Sequence, residues 1–81
     1  MQVEVQFHSY FKDLTGCSRV TETVEPGCTL QELRDRLEAR FPKLAAMRKS
    51  ALVAVGVDYQ PMTYVLKDGD EVSLFPPVQR G

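Results

Sequence analysis

The sequence has few of the residue types that most often bind metals or perform catalysis. It has one histidine, His8, and two cysteines, Cys17 and Cys28, which lie too far apart for the close spacing of zinc and redox motifs. We therefore expect no metal site and no catalytic triad, and we interpret the cysteines as small, partly buried apolar residues in a reducing compartment. The five glycines are scattered, which argues against a glycine-rich phosphate loop.

Strong net charge and long apolar runs are also absent. The net charge is −1 at pH 7, which gives no indication of a nucleic-acid or membrane partner. No apolar run approaches the roughly 20 residues that span a bilayer, and the alternating N-terminal segment does not have the layout of a signal peptide. A chain of 81 residues has room for one hydrophobic core. We expect one small cytoplasmic domain.

The first part of the sequence predicts two strands. Apolar and polar residues alternate over residues 3–8, which is typical of a half-buried strand. The Thr- and Val-rich segment 18–27 predicts a second strand that ends at a Pro-Gly turn. We expect a helical turn that buries Phe11 and Leu14 in the connection between them. Glu22 shares a face with two valines, so the second strand is expected at a sheet edge or under weak cover.

The clearest predicted element is a helix that follows Thr29. Thr29 and Glu32 fit a capping box, in which each side chain accepts a hydrogen bond from a free amide at the helix start. Pro42 is expected to end the helix, and a short second helix with Leu44 and Met47 facing inward is predicted after it. Four apolar side chains between these ends follow a helical period: Leu30, Leu33, Leu37 and Phe41.

The remaining sequence predicts two later strands. The apolar run 51–57 is typical of a strand covered on both faces. Residues 58–62 predict a turn or a broken segment, because Pro61 cannot occupy a central strand. After an Asp-Gly turn, residues 71–75 alternate, which places two apolar side chains toward the core and Phe75 on the opposite face.

A hairpin, a crossing helix and later strands together predict a two-layer α+β domain. This is the arrangement of the β-grasp, or ubiquitin-like, fold, with a mixed four- to five-stranded sheet packed on one main helix. Several unrelated small folds share the same number of elements, so the pattern alone leaves them open. We assign residues 1–75 to the domain and residues 76–81 to an extended C-terminal tail.

The composition of the tail suggests a function for it. Pro76 and Pro77 favour extended backbone, so six residues reach roughly 20 Å beyond the last strand. Gly81 has no side chain, so its carboxylate can enter a channel that a Cβ atom would obstruct. The alternative is a frayed end, which is the common state of chain termini.

The stretch LKDGDEVSLFPPV resembles the C-terminal segment of the ubiquitin-like sulfur carriers, the family that includes the small subunit of molybdopterin synthase and the sulfur carrier of the thiamine pathway. The resemblance extends over nearly the whole chain and includes the stretches VEVQFHSYFKDLTG and TLQELRDRLEARFP. The C-terminal motif is its specific part. The resemblance implies the β-grasp fold and the role of a carrier subunit without catalytic side chains.

The resemblance also implies partners and a mechanism. An ATP-dependent, E1-like activating enzyme would convert the Gly81 carboxylate into an acyl-adenylate, and a persulfide would lead to a thiocarboxylate. The large subunit of molybdopterin synthase would then bind the tail and use its sulfur to build the dithiolene of molybdopterin. Metal and pterin belong to the product, so no cofactor bound to this chain is implied. The tail-binding segment would comprise Pro76, Pro77, Val78, Gln79 and Arg80.

Alignment with the family places a partner-docking patch on His8, Tyr59 and Phe75. Strand alternation agrees for His8 and Phe75, which both fall on the face opposite the core. His8 stands where the family would have a phenylalanine, so we expect a more polar patch here.

Arg80 is the main departure, because it occupies the position of the family's penultimate glycine. The partner would need a wider channel, or the chain has lost carrier function, or it serves a specialised pathway. Three hypotheses follow: a sulfur carrier that acts through Gly81, a ubiquitin-like binding module with an inactive tail, and a protein modifier joined through Gly81 to a lysine.

Overall fold

The computed structural model describes residues 1–9, 11–47 and 51–76. This part of the chain contains five strands, two α-helices and one 3₁₀ helix. Their order is β1 (Gln2–Phe7), α1 (Phe11–Thr15), β2 (Arg19–Thr23), α2 (Leu30–Arg40), the 3₁₀ helix (Pro42–Met47), β3 (Leu52–Val55), β4 (Asp58–Tyr59) and β5 (Glu71–Phe75).

The five strands form one mixed sheet in the order β2-β1-β5-β3-β4. Strand β1 pairs antiparallel with β2 and parallel with β5, and β3 pairs antiparallel with both β5 and β4. The parallel pair β1–β5 is central and requires a long crossover, which contains α2. This topology confirms the predicted β-grasp fold and fixes the number of strands at five.

The core lies between the sheet and α2. Strands β1 and β5 alternate between buried and more exposed residues, as predicted. The leucine stripe of α2 is buried in the same cluster. Phe7 of β1 meets Phe41, the residue after α2, with the two ring centroids 5.8 Å apart and nearly perpendicular. The core side chains of β1, α2 and β5 are Val3, Val5, Phe7, Leu30, Leu33, Leu37, Val72 and Leu74.

Helix α2 has the predicted capping box. The Thr29 hydroxyl oxygen accepts a hydrogen bond from the Glu32 N–H at 3.3 Å, and the Glu32 carboxylate accepts one from the Thr29 N–H at 3.0 Å. At the other end, the Phe41 N–H donates to the Leu37 carbonyl at 2.7 Å. Pro42 then begins the 3₁₀ helix, in which Leu44 is buried.

Strand β2 lies at the sheet edge, as the position of Glu22 predicts. Glu22 pairs with Val3 in the β1–β2 register and is buried on the core side. Its carboxylate contacts Arg36 and Arg40 of α2, which supply the opposite charge that a buried carboxylate requires.

Two expectations for the later strands are wrong in part. Only Leu52–Val55 of the apolar run 51–57 forms a strand. Gly56, with a φ of 62°, and Val57 form the turn of a hairpin, and Val57 is 96% exposed rather than covered. The segment predicted as a broken turn begins with the two-residue strand β4, which pairs with β3 before Pro61. A tight hairpin explains both corrections, because the chain needs a two-residue turn to reverse direction.

Candidate functional site

The predicted tail begins at the centre of the sheet. Strand β5 lies between β1 and β3, ends at Phe75 and is followed by the half-buried Pro76. The tail residues Pro77, Val78, Gln79, Arg80 and Gly81 lie outside the described residues, so their roles stay predictions. The described structure therefore locates where the tail starts.

The three residues predicted to form the docking patch lie together beside that starting point. The His8 and Phe75 rings are 5.7 Å apart between centroids, at an interplanar angle of 81°. The Tyr59 and Phe75 rings are also 5.7 Å apart, tilted by 55°. Edge-to-face and tilted arrangements at such distances are favourable for aromatic pairs. We call this group the aromatic cluster, and Phe75 is its centre.

Strand pairing positions each ring of the aromatic cluster. His8 directly follows β1, and its N–H donates to the Leu74 carbonyl at 3.0 Å, which holds it beside the end of β5. Ser9 then adopts a φ of 57°, at the turn that leads to α1. Tyr59 pairs with Ala54 across the β3–β4 hairpin and lies on the same outer face of the sheet.

A shallow depression opens beside the aromatic cluster. Small residues of three neighbouring segments contribute to it: Ala54, Gly56 and Ser73. The three aromatic side chains and Val57 line the rest of it. The outer face thus has a hollow lined by three aromatic rings, one valine and small residues.

Sequence analysis missed the contribution of Val57 and of the small residues. Alternation along β5 could have placed Ser73 on the same face as Phe75. The apolar run predicts a covered strand that includes Val57, whereas the positive φ of Gly56 turns the chain before it. A glycine between two apolar residues, followed by an aspartate, was the signal available.

The described residues contain no candidate metal-binding cluster. No cluster of three or more His, Cys, Asp or Glu side chains suited to a metal ion is found within them. Both cysteines are free thiols, and burial raises the pKa of Cys28, with the nearby Glu32 carboxylate adding to the rise. Because a raised pKa disfavours the thiolate, Cys28 is a poor nucleophile. This agrees with its interpretation as a small apolar core residue.

Within the described residues, Tyr64 is the other group with a shifted pKa. Partial burial raises the pKa of its hydroxyl, and the hydrogen bond it donates to Asp70 at 3.0 Å acts in the same direction. Asp70 also accepts the Lys67 N–H, so this contact stabilises the turn before β5.

No helix within the described ranges combines the length and apolar character needed to cross a membrane.

Comparison with known proteins identifies the family. The model of the ThiS family matches residues 5–81. A molybdopterin synthase sulfur carrier subunit of Homo sapiens is 31% identical over 83 aligned positions, which cover 99% of this chain and 94% of the human protein.

Solved structures agree with the fold and the family. A putative molybdopterin converting factor, subunit 1, from Pyrococcus furiosus is 26% identical and superimposes with a TM-score of 0.89, covering 96% of this chain and 99% of that one. A complex of subunits 1 and 2 of the molybdopterin-converting factor from Helicobacter pylori contains a chain that is 28% identical, with a TM-score of 0.73 and full coverage of both chains. The chain belongs to the ThiS family, and its relatives include sulfur carrier subunits of molybdopterin synthase.

Proposed function

We propose that this chain carries sulfur as a thiocarboxylate on Gly81 and donates it to molybdopterin synthesis as the small subunit of the synthase. The observation that carries the proposal is the family match, which continues through residue 81. The fold supports it, because the strand that leads into the tail ends in the aromatic cluster. A partner docked on this cluster would lie next to the start of the tail.

The length and stiffness of the tail suit delivery into a neighbouring protein. From Pro76 to Gly81, nearly extended backbone reaches roughly 20 Å. Two consecutive prolines reduce the conformational entropy that the tail loses when it enters a groove. The complex of subunits 1 and 2 from Helicobacter pylori supports a second subunit as the recipient.

The chemistry needs an activated carboxylate, since a carboxylate is anionic and has no good leaving group. Attack of the Gly81 carboxylate on the α-phosphorus of ATP would release pyrophosphate and give an acyl-adenylate. The terminal sulfur of a persulfide would attack the carbonyl carbon, and AMP would leave. A thiol would then reduce the resulting acyl disulfide and release the thiocarboxylate. None of these steps uses a side chain of the described domain.

The same scheme assigns the partners. An E1-like activating enzyme catalyses the ATP-dependent adenylation of Gly81, and the large synthase subunit receives the sulfur. The carrier itself holds no cofactor, because the pterin and the metal belong to the product. The compartment proposed for this chemistry is the cytoplasm.

The experiment that tests the proposal is intact-mass measurement after incubation with the activating enzyme, ATP and a persulfide donor. We expect a mass increase equal to the exchange of one oxygen atom for sulfur. A variant that lacks Gly81 should show no increase. Conjugates of higher mass that resist reduction would instead indicate a protein modifier.

Arg80 needs a matched control, because it replaces a glycine beside the reacting carbonyl. The Arg80→Gly variant should be converted at least as well as the wild type. Conversion of both chains shows that the partner accommodates the guanidinium. Conversion of the variant alone would show a blocked tail and contradict the proposed function.

A further inference from the structure

Few large apolar side chains are exposed in the part of the chain that the structure describes. They are Val57 at 96%, Tyr59 at 65% and Val65 at 51%. Two of these three, Val57 and Tyr59, line the depression beside the aromatic cluster. The exposed apolar surface is therefore concentrated at one site.

The fold does not require a valine at position 57. The preceding Gly56 has a φ of 62° and provides the positive φ of the hairpin turn, and strand pairing resumes with Asp58. Turn positions favour small and polar residues, and an almost fully exposed valine contributes no burial to folding. Exposed valines are common, but this one adjoins three rings that already form a hollow.

Charges flank the depression on two sides. On one side, His8 also lines a neighbouring hollow with Lys12 and Arg19. On the other side, the Glu71 side chain lies on the same outer face as Ser73, two residues along β5, and Glu71 pairs with Glu4 in the parallel β1–β5 register. Like charges directly opposite one another on a sheet are unfavourable.

Only part of this repulsion is relieved within the described chain. Arg19 lies 3.4 Å from Glu4, and both side chains are substantially exposed to solvent. A cation brought by a partner would oppose the remaining charge of Glu71. Charges at the rim of an interface favour partners of complementary charge and fix their orientation.

We propose that Val57 is an anchor residue of the partner-binding surface, and that the occupant of the depression is a protein segment that presents an aliphatic side chain beside a basic one. The aliphatic side chain contacts Val57 and Tyr59, and the basic one faces Glu71. This inference rests on the proposed function, because the partner is taken to be the large subunit of molybdopterin synthase.

The test measures the dissociation constant of the complex that each variant of this chain forms with the large subunit from the same organism. Val57→Thr keeps the shape of the side chain and replaces a methyl group with a hydroxyl group, which should weaken binding about tenfold when the site becomes buried. Val65→Thr is the matched control, and its dissociation constant should stay within about twofold of the wild type. Both variants should melt at the wild-type temperature, because both valines are exposed.

A second pair of variants tests the charge of the occupant. Glu71→Gln should weaken binding and reduce its dependence on salt concentration, since one screened attraction is removed. Glu25→Gln is the control. Glu25 is exposed and immediately follows Val24, whose N–H donates to the Met1 carbonyl at the opposite end of β1 from His8.

Wild-type affinity in the Val57→Thr variant would overturn the role of Val57, and unchanged salt dependence in Glu71→Gln would overturn the basic occupant. A wild-type chain without affinity for the large subunit would overturn both. The intact mass of the chain after activation, which reports conversion of the Gly81 carboxylate, is a separate readout. Conversion without binding defeats this inference and the role as synthase subunit but leaves the carrier chemistry standing, whereas binding without conversion defeats the proposed carrier chemistry alone.

Discussion

The Glu22 carboxylate on edge strand β2 forms an ion pair with the Arg40 guanidinium of helix α2. Arg36, one turn earlier on the helix, approaches the same carboxylate to 4.0 Å. The Glu22 side chain is only 10% exposed, whereas both arginine side chains are about half exposed. The carboxylate therefore depends on the two arginines to offset its lost hydration. This contact ties the helix to the outermost strand on that side of the sheet.

We expect Glu22→Gln to lower the free energy of unfolding by about 1–2 kcal/mol, because the buried charge that pairs with Arg36 and Arg40 is lost. Urea denaturation followed by circular dichroism measures it. Glu4→Gln is the control, since its pair with Arg19 is exposed and should contribute less than about 1 kcal/mol. Equal losses in the two variants would show that the greater burial of Glu22 does not increase the contribution of its ion pairs to the free energy of unfolding.

The capping box of α2 gives a second expectation. Thr29→Ala removes the side-chain acceptor for the Glu32 N–H and should lower the free energy of unfolding by about 1 kcal/mol. Thr29→Ser retains the acceptor and should restore most of that loss. Failure of the serine variant to recover stability would assign the effect to the lost methyl group rather than to the cap.

The elements with the strongest periodicity could be predicted from the sequence. In β1 and β5 the alternation of apolar residues coincides with the burial of alternate residues, and in α2 the leucine stripe coincides with the buried face. Each of these patterns depends on local geometry alone. Glu22 on an apolar face likewise predicts an edge or weakly covered strand, whereas its two arginine partners on α2 are visible only in the structure.

The depression could not be predicted in the same way. It depends on the register of three strands, in which Ala54 lies opposite both Tyr59 and Ser73. It also depends on the positive φ of Gly56, which changes an apolar run into a hairpin turn. The aromatic cluster was reached through family resemblance, because alternation alone says which face a ring occupies but not which rings meet.

The raised pKa of Cys28 predicts a loss of stability at alkaline pH. Its pKa in the folded chain lies above its ordinary value of 9.0, so the folded state holds the thiol proton more tightly than the unfolded state does. The corresponding stability is fully present below about pH 9 and is lost as the pH rises toward the folded pKa. We expect the free energy of unfolding to fall over this range.

The Cys28→Ala variant separates this titration from others. It removes the thiol from a buried position and should make the decline of stability above pH 9 less steep. Urea denaturation at several pH values gives the slope for each chain, and only slopes are compared, since the lost sulfur also reduces packing. Parallel slopes would mean that the Cys28 thiol titrates alike in both states.

The position of Phe75 at the centre of the aromatic cluster predicts an order of effects on partner binding. Phe75 contacts both His8 and Tyr59, so it joins the other two rings of the cluster. Central aromatic residues contribute most at interfaces, so Phe75→Ala should raise the dissociation constant for the large subunit about thirtyfold or more. His8→Ala and Tyr59→Ala should each have a smaller effect, measured by calorimetry on chains shown to be folded. If Tyr59→Ala costs more affinity than Phe75→Ala, the interface is centred on the β3–β4 hairpin rather than on the end of β5, and the partner does not dock where the tail begins.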